Sequence, residues 1–232
     1  MSIKVFCDGA NIDDMKAAYN DGVASGFTTN PSLMKKAGVV DYAEFAKDVL
    51  CVIPDLPISF EVFSDEFSEM ERQAQYLDSL GDNVYVKIPI TNTKNESSVD
   101  LIESLVSSGV KVNVTAIMTL DQVVPVKDVL DPNVPAVVSI FSGRIADTGV
   151  DPVPVMRDAA RLLSGSDKWE LLWASPREIL NLYQAEDCGC DIITMTPDLI
   201  SKTRLKNKDL LEYSLETVKM FYDDANKQGY RI

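Results

Sequence analysis

Val84-Tyr85-Val86-Lys87-Ile88-Pro89-Ile90 is a β-branched, apolar run with a single charge inside it. It reads as a buried strand over residues 84–88. On either side of it, similar short runs occupy residues 3–7, 26–28, 58–62, 111–115, 136–140, 170–173 and 191–194. Longer stretches with helical spacing separate them. Residues 66–80 place Phe67, Met70, Ala74 and Leu77 on one face. Residues 175–187 open with Ser175-Pro176, which suits an N-cap followed by proline at the first helical position. Strands alternating with helices imply parallel pairing through right-handed crossovers. Eight such units within 232 residues predict an α/β fold, a (β/α)8 TIM barrel, over an open doubly wound sheet. No GxGxxG follows the first strand and no GxxxxGKS occurs, so dinucleotide and P-loop readings lose support. Composition does not break anywhere, and residues 1–232 are expected to form one barrel domain. A polar helix at about 207–227 either closes the barrel or is appended to it and packs on a neighbouring subunit.

The balance of charge narrows the partners. A net charge of −14 disfavours nucleic acid and anionic membrane, both of which need a basic surface. Small phosphorylated substrates remain open, because one or two well-placed cations suffice for them. No apolar run reaches the roughly 18 residues of a membrane span. The first ten residues lack a signal-peptide layout, so a cytoplasmic location is expected. Cys7, Cys51, Cys188 and Cys190 are scattered and read as reduced thiols, with spacing unsuited to zinc. Histidine is absent, which removes Ser-His-Asp hydrolysis, Cys-His nucleophiles and histidine-bound zinc in their usual forms. Chemistry here has to run on carboxylates, lysines, hydroxyls and water.

In a (β/α)8 barrel the reacting groups project from the C-terminal ends of the strands. The first strand ends at Asp8, the second at Thr28-Thr29-Asn30, and the third passes through Glu61. The fourth carries Lys87 and the fifth Asn113 and Thr115. Ser139 lies on the sixth, which Arg144 follows, and Ser175 and Arg177 follow the seventh. Such groups are costly to bury without a purpose. Lys87 has the most apolar setting of any lysine in the chain. Desolvation disfavours an ammonium and supplies the free amine that a Schiff base requires. The other reading of Lys87 is a strand-end lysine that snorkels to water or pairs with Asp8 or Glu61. Glu61, inside an apolar strand, can pass protons directly or through water, or serve only as an ion partner of Lys87. Asp8 could exchange a proton with an aldol hydroxyl, or cap the next turn. Arg144 and Arg177 follow adjacent strands, which suggests a phosphate clamp with Ser139 and Ser175; either arginine alone would suit a surface ion pair.

These residues sit in motifs that resemble the transaldolase family, including its short fructose-6-phosphate-aldolase-like branch. The motifs are Gly26-Phe27-Thr28-Thr29-Asn30-Pro31-Ser32, VKIPIT around Lys87, NVTAI from Asn113 and FSGRIADTG from Phe141. The resemblance implies that Lys87 forms the Schiff base, Asp8 assists carbon–carbon cleavage, and Glu61 acts through a water held by Thr115. It implies that Thr28, Asn30, Asn113 and Phe141 bind the substrate, and that Ser139, Arg144, Ser175 and Arg177 bind its phosphate. The aldolase branch typically carries glutamine at position 61 and tyrosine at position 141, where this chain has Glu61 and Phe141. A phenylalanine cannot help protonate and release a bound enamine, so the resemblance implies a transferase that passes a dihydroxyacetone unit between sugar phosphates. The rival expectations are an aldolase that frees dihydroxyacetone and a non-catalytic sugar-phosphate-binding barrel. Pro176, between Ser175 and Arg177, departs from the aromatic residue common in longer members. The resemblance also implies no metal or cofactor, and a homo-oligomer of five or ten subunits contacted through the C-terminal helix.

Overall fold

Eight parallel strands close on themselves in chain order, the last pairing with the first. They are β1 (Lys4–Asp8), β2 (Gly26–Thr28), β3 (Ile58–Glu61), β4 (Val84–Pro89), β5 (Val112–Ile117), β6 (Ala136–Ile140), β7 (Trp169–Trp173) and β8 (Ile192–Met195). Each lies within two residues of its sequence-predicted bounds. The computed structural model describes residues 3–231. Around the barrel run α1 (Ile12–Asn20), α2 (Pro31–Lys36), α3 (Tyr42–Val52), α4 (Phe67–Asp78), α5 (Val99–Ser107), α6 (Leu120–Val129), α7 (Ser142–Asp147), α8 (Val153–Leu163), α9 (Leu180–Asp187) and α10 (Pro197–Ser201). This is the expected (β/α)8 TIM barrel. It extends to Ile200, and a second compact unit begins at Ser201 and carries α11 (Leu210–Gln228).

The period of two along a strand sorts side chains into two cores. One parity faces the helices: Cys7, Phe27, Phe60, Val86, Val114, Val138, Leu171 and Ile193 all join the large outer core. The other parity faces the barrel axis, where Phe6, Val137, Leu172 and Ile192 form a smaller core of their own with Tyr85 against it. Phe6 sits there because β2 offers a glycine: a Cβ on Gly26 would lie 2.5 Å from the Phe6 ring. Burying a ring of that size contributes about 1.5–3 kcal/mol.

One step further along most of the strands, the same inward parity turns polar; after β7 it stays apolar at Ala174. Asp8 follows Phe6, Thr28 follows Gly26, Lys87 follows Tyr85, Ser139 follows Val137 and Thr194 follows Ile192. The barrel is therefore plugged by apolar residues below and lined by hydrogen-bonding groups above. Strand 5 adds a local irregularity. Val114 pairs with Val138 and Ile117 with Ile140, so β5 carries one residue more than β6 between those rungs. Ala116 takes up the surplus at φ 64°, in the left-handed region.

One helix start differs from expectation. α9 opens at Leu180, with Ile179 at its N-cap, and Ser175 is no cap at all. Ser175 has φ 58°. An N-cap takes extended backbone, as Asn30 does before Pro31, and Ser175 in the left-handed region does not, so Ser175-Pro176 starts no helix. Asn181 pins the segment instead, its Oδ1 accepting from the amides of Arg177 at 2.7 Å and Glu178 at 3.1 Å.

Candidate active site

A cavity of about 410 Å³ opens at the C-terminal end of the barrel. Eleven of the twelve residues singled out above line it, among them Asp8, Glu61, Lys87 and Arg144; Arg177 does not.

Lys87 is 6% exposed, and the register explains its neighbours. It pairs with Glu61 on β3 and with Asn113 on β5, so three adjacent strands present them to the same interior. Lys87 Nζ lies 3.1 Å from Glu61 Oε2 and donates to the Thr29 carbonyl at 3.0 Å. Glu61 is itself fixed from behind. The Tyr42 hydroxyl, at the start of α3, donates to the Glu61 carbonyl at 2.7 Å and accepts from its amide at 2.8 Å.

Asp8 lies across the cavity within electrostatic reach of Lys87. Burial pushes its carboxyl above the usual carboxylate range, while the Lys87 charge and a hydrogen bond from Thr28 oppose the rise. Thr28 Oγ1 donates to Asp8 Oδ1 at 2.8 Å and also contacts Thr194 Oγ1. A hydroxyl has one proton, so Thr194 must donate to Thr28 for Thr28 to donate to Asp8. The result is a directed chain, Thr194 to Thr28 to Asp8.

A second chain crosses the barrel. Ser139 Oγ donates to Asn113 Oδ1 at 2.6 Å, and Asn113 Nδ2 donates to Ser59 Oγ at 3.0 Å. The single Ser139 proton is thereby committed to Asn113, whose amide it orients. The TTNPS segment has an equally local reason. Asn30 caps α2 by accepting from the Leu33 amide at 3.0 Å, and Pro31 stands at the first helical position. That leaves the Asn30 amide hydrogens for the cavity. Thr115 Oγ1 is buried without a partner among the described residues.

Such a set gathers a buried lysine paired with a carboxylate, a second carboxylate and a ring of hydroxyl and amide groups around one chamber. The family model described as Transaldolase/Fructose-6-phosphate aldolase matches residues 5–232. The chain belongs to that family. A protein of Thermoanaerobacter sp. (strain X514), named probable transaldolase, is 32% identical over 232 residues, covering 99% of this chain and all of the relative. Another probable transaldolase, from Thermoplasma acidophilum, is 31% identical over 210 residues, with 88% of this chain and 89% of the relative covered. Among solved structures, KGPDC from Streptococcus mutans superposes with a TM-score of 0.59 at 9% identity, covering 87% of this chain and 91% of that one. A likeness at that identity speaks for the barrel alone.

At the outer end of the cavity the two arginines part company. Arg144, on α7, is exposed and lines the cavity, its guanidinium 5.5 Å from the Phe141 ring centre. Arg177 instead forms a bidentate pair with Asp147 at the end of α7, its Nε donating to Oδ1 at 2.9 Å and its Nη2 to Oδ2. It thus adopts the surface ion pair that sequence left open as the alternative to a clamp. Ser175 reaches the cavity through close packing of backbone on backbone. A Cβ on Gly143 would lie 1.5 Å from the Ser175 carbonyl oxygen, so only glycine fits there.

Four residues at or behind the site escaped the sequence reading. Thr194 stands at a strand end, and the strand-end rule that found Asp8 and Lys87 would have found it too. Ser59 lies two positions before Glu61 on β3, hence on the same face. Tyr42 and Asp147 sit on helices, where no strand periodicity points to them. Among the described residues there is no cluster suited to a metal ion, and no helix is long and apolar enough to cross a membrane.

Proposed function

We propose that the protein is a transaldolase, transferring a dihydroxyacetone unit from a ketose phosphate to an aldose phosphate through a Schiff base on Lys87. The observation that carries this is the Lys87 amine, buried in the cavity 3.1 Å from the Glu61 carboxylate, with Asp8 lining the same chamber. The amine adds to the ketone of fructose 6-phosphate or sedoheptulose 7-phosphate, and Glu61 supplies the proton with which the carbinolamine loses water. Thr115, whose hydroxyl has no partner among the described residues, holds the water that carries this proton. Asp8, a stronger base for being buried, takes the proton of the C4 hydroxyl as the C3–C4 bond breaks. The bonding electrons pass into the iminium, which becomes an enamine, and the aldose phosphate leaves. Because the iminium is the electron sink, the scheme calls for neither metal nor organic cofactor. The enamine then adds to a second aldose phosphate, Asp8 returns its proton, and water frees the amine.

Thr28, Asn30 and Asn113 hold the hydroxyls of the three-carbon unit, and Phe141 offers the retained enamine no proton. That favours transfer over release as free dihydroxyacetone. Arg144 and Ser175, at the outer wall, face the phosphate, with Arg177 beside them. The assignment carries with it a cytoplasmic setting in sugar-phosphate metabolism, and a ring-shaped homo-oligomer, a pentamer or decamer, that covers the apolar residues of α11.

Borohydride reduction after incubation with fructose 6-phosphate, with and without erythrose 4-phosphate, tests the reading. The expected result is a reduced three-carbon adduct on Lys87 that disappears when acceptor is added and sedoheptulose 7-phosphate forms, and is absent from Lys87→Arg. Free dihydroxyacetone accumulating without acceptor would move the protein to the aldolase side. No adduct with any ketose phosphate would remove the mechanism altogether.

A further inference from the structure

The phosphate side of the cavity is electrostatically asymmetric. Arg144 lines it and makes no ion pair among the described residues, whereas Arg177 stands outside the cavity lining with the Nε–Nη2 edge of its guanidinium paired to Asp147. Arg177 is also tethered through its backbone, its amide donating to Asn181 Oδ1 at 2.7 Å. Asp147 lies one helical turn beyond Arg144 on α7. Its carboxylate is held below the usual range by the Arg177 hydrogen bonds, with the Arg144 charge adding to the effect. One fixed anion therefore bears on both cations that a substrate phosphate would use.

We propose that Asp147 sets the phosphate preference of the site, its carboxylate competing with the substrate phosphate for the Arg177 guanidinium and lowering the positive field at Arg144. This rests on the transaldolase reading above and specifies its substrate selectivity. A carboxylate and a phosphate present the same paired oxygens to a guanidinium fork. While Asp147 holds it, a phosphate meets one free arginine, and turnover depends less on phosphorylation of the acceptor than a two-arginine clamp would make it. Asparagine at position 147 is nearly isosteric but carries no charge, so it releases the fork.

The test compares two acceptors that differ only by the phosphate, glyceraldehyde 3-phosphate and glyceraldehyde, with sedoheptulose 7-phosphate as donor. The readout is the ratio of their KM values, which a general change in folding or chemistry does not move. Asp147→Asn should raise the preference for the phosphorylated acceptor by about 3–10-fold, the scale of one charge-assisted hydrogen-bond pair regained. Adding Arg177→Ala to Asp147→Asn should return the ratio to the wild-type value. Inorganic phosphate, followed by titration calorimetry, should bind Asp147→Asn more tightly by a similar factor. If Asp147→Asn instead weakens phosphate binding, Asp147 positions Arg177 for phosphate and the proposal is wrong. An unchanged ratio and unchanged phosphate affinity overturn it equally. Phosphate binding requires no turnover, so it still reports on Asp147 if trapping on Lys87 fails, which keeps the two failures apart.

Discussion

At the scale of single residues, the site spends stability on chemistry, and Asp8 shows the sign. Burial raises its carboxyl above the ordinary value of 3.8, more than Lys87 and Thr28 lower it. Below 3.8 the group is neutral folded and unfolded, and contributes nothing. As pH rises from there through the folded pKa, the unfolded chain ionises first, so folding loses stability; above the folded pKa the cost is full. Asp8→Asn should therefore raise the unfolding midpoint at pH 8 by more than at pH 4, while abolishing carbon–carbon cleavage. Equal gains at both pH values would show that the carboxylate is not strained by burial. Tyr42 is the opposite case, a residue that stabilises the site without entering it. Tyr42→Phe leaves the Glu61 amide and carbonyl without their hydroxyl partner, at a cost of about 1–3 kcal/mol. With Glu61 displaced, kcat should fall more than KM rises, which steady-state kinetics alongside urea unfolding would separate. That Lys87, Asp8 and Glu61 share one cavity is legible in the sequence, because each stands at the C-terminal end of a barrel strand. Tyr42 is not, because an aromatic residue at a helix start looks like core.

At the scale of elements, alternation is what made the barrel readable. Each strand repeats a period of two, and a single rule applied to its inward residues yields both the apolar plug and the polar ring. The rule failed where the backbone leaves ordinary geometry. Nothing in Ser175-Pro176-Arg177 announces that Ser175 adopts φ 58° or that its carbonyl packs against Gly143 of α7. The Ser175–Gly143 contact joins the loop after β7 to α7 across more than thirty residues of chain, beyond any local pattern. It also gives a sharp prediction. Gly143→Ala would drive a methyl group into the Ser175 carbonyl, costing about 1–3 kcal/mol as overpacking and parting α7 from the end of β7. Since Arg144 and Ser175 flank that contact, the KM for phosphorylated substrates should rise along with the loss of stability measured by denaturant unfolding. A variant of normal stability and normal KM would mean that the two segments are not in contact.

At the scale of the whole molecule, the barrel unit has its two packed cores, while the unit after it leaves apolar side chains exposed. The outer barrel core of the first unit is assembled from residues up to Leu199, with Ile200 packed at its margin. No residue of α11 is buried, although Leu210, Leu211, Leu215, Val218, Phe221 and Tyr222 are among its side chains. A nineteen-residue helix with its apolar residues in water is marginal by itself. An exposed apolar surface of this kind marks an interaction site. In sequence this stretch gave helical spacing but not the decision between a closing barrel helix and an appended one, because a helix pattern does not say what covers its face. The two possibilities predict different results on truncation. If the barrel is complete without it, a chain ending at Ile200 should keep its near-ultraviolet circular dichroism and unfold cooperatively, with a midpoint close to that of the full chain. If α11 covers itself against other copies, the same truncation should reduce the mass measured by light scattering from an oligomer toward a single chain. A truncated chain that aggregates or loses its tertiary signal would show that residues after Ser201 support the barrel fold itself, and that the apolar side chains of α11 serve its own chain first.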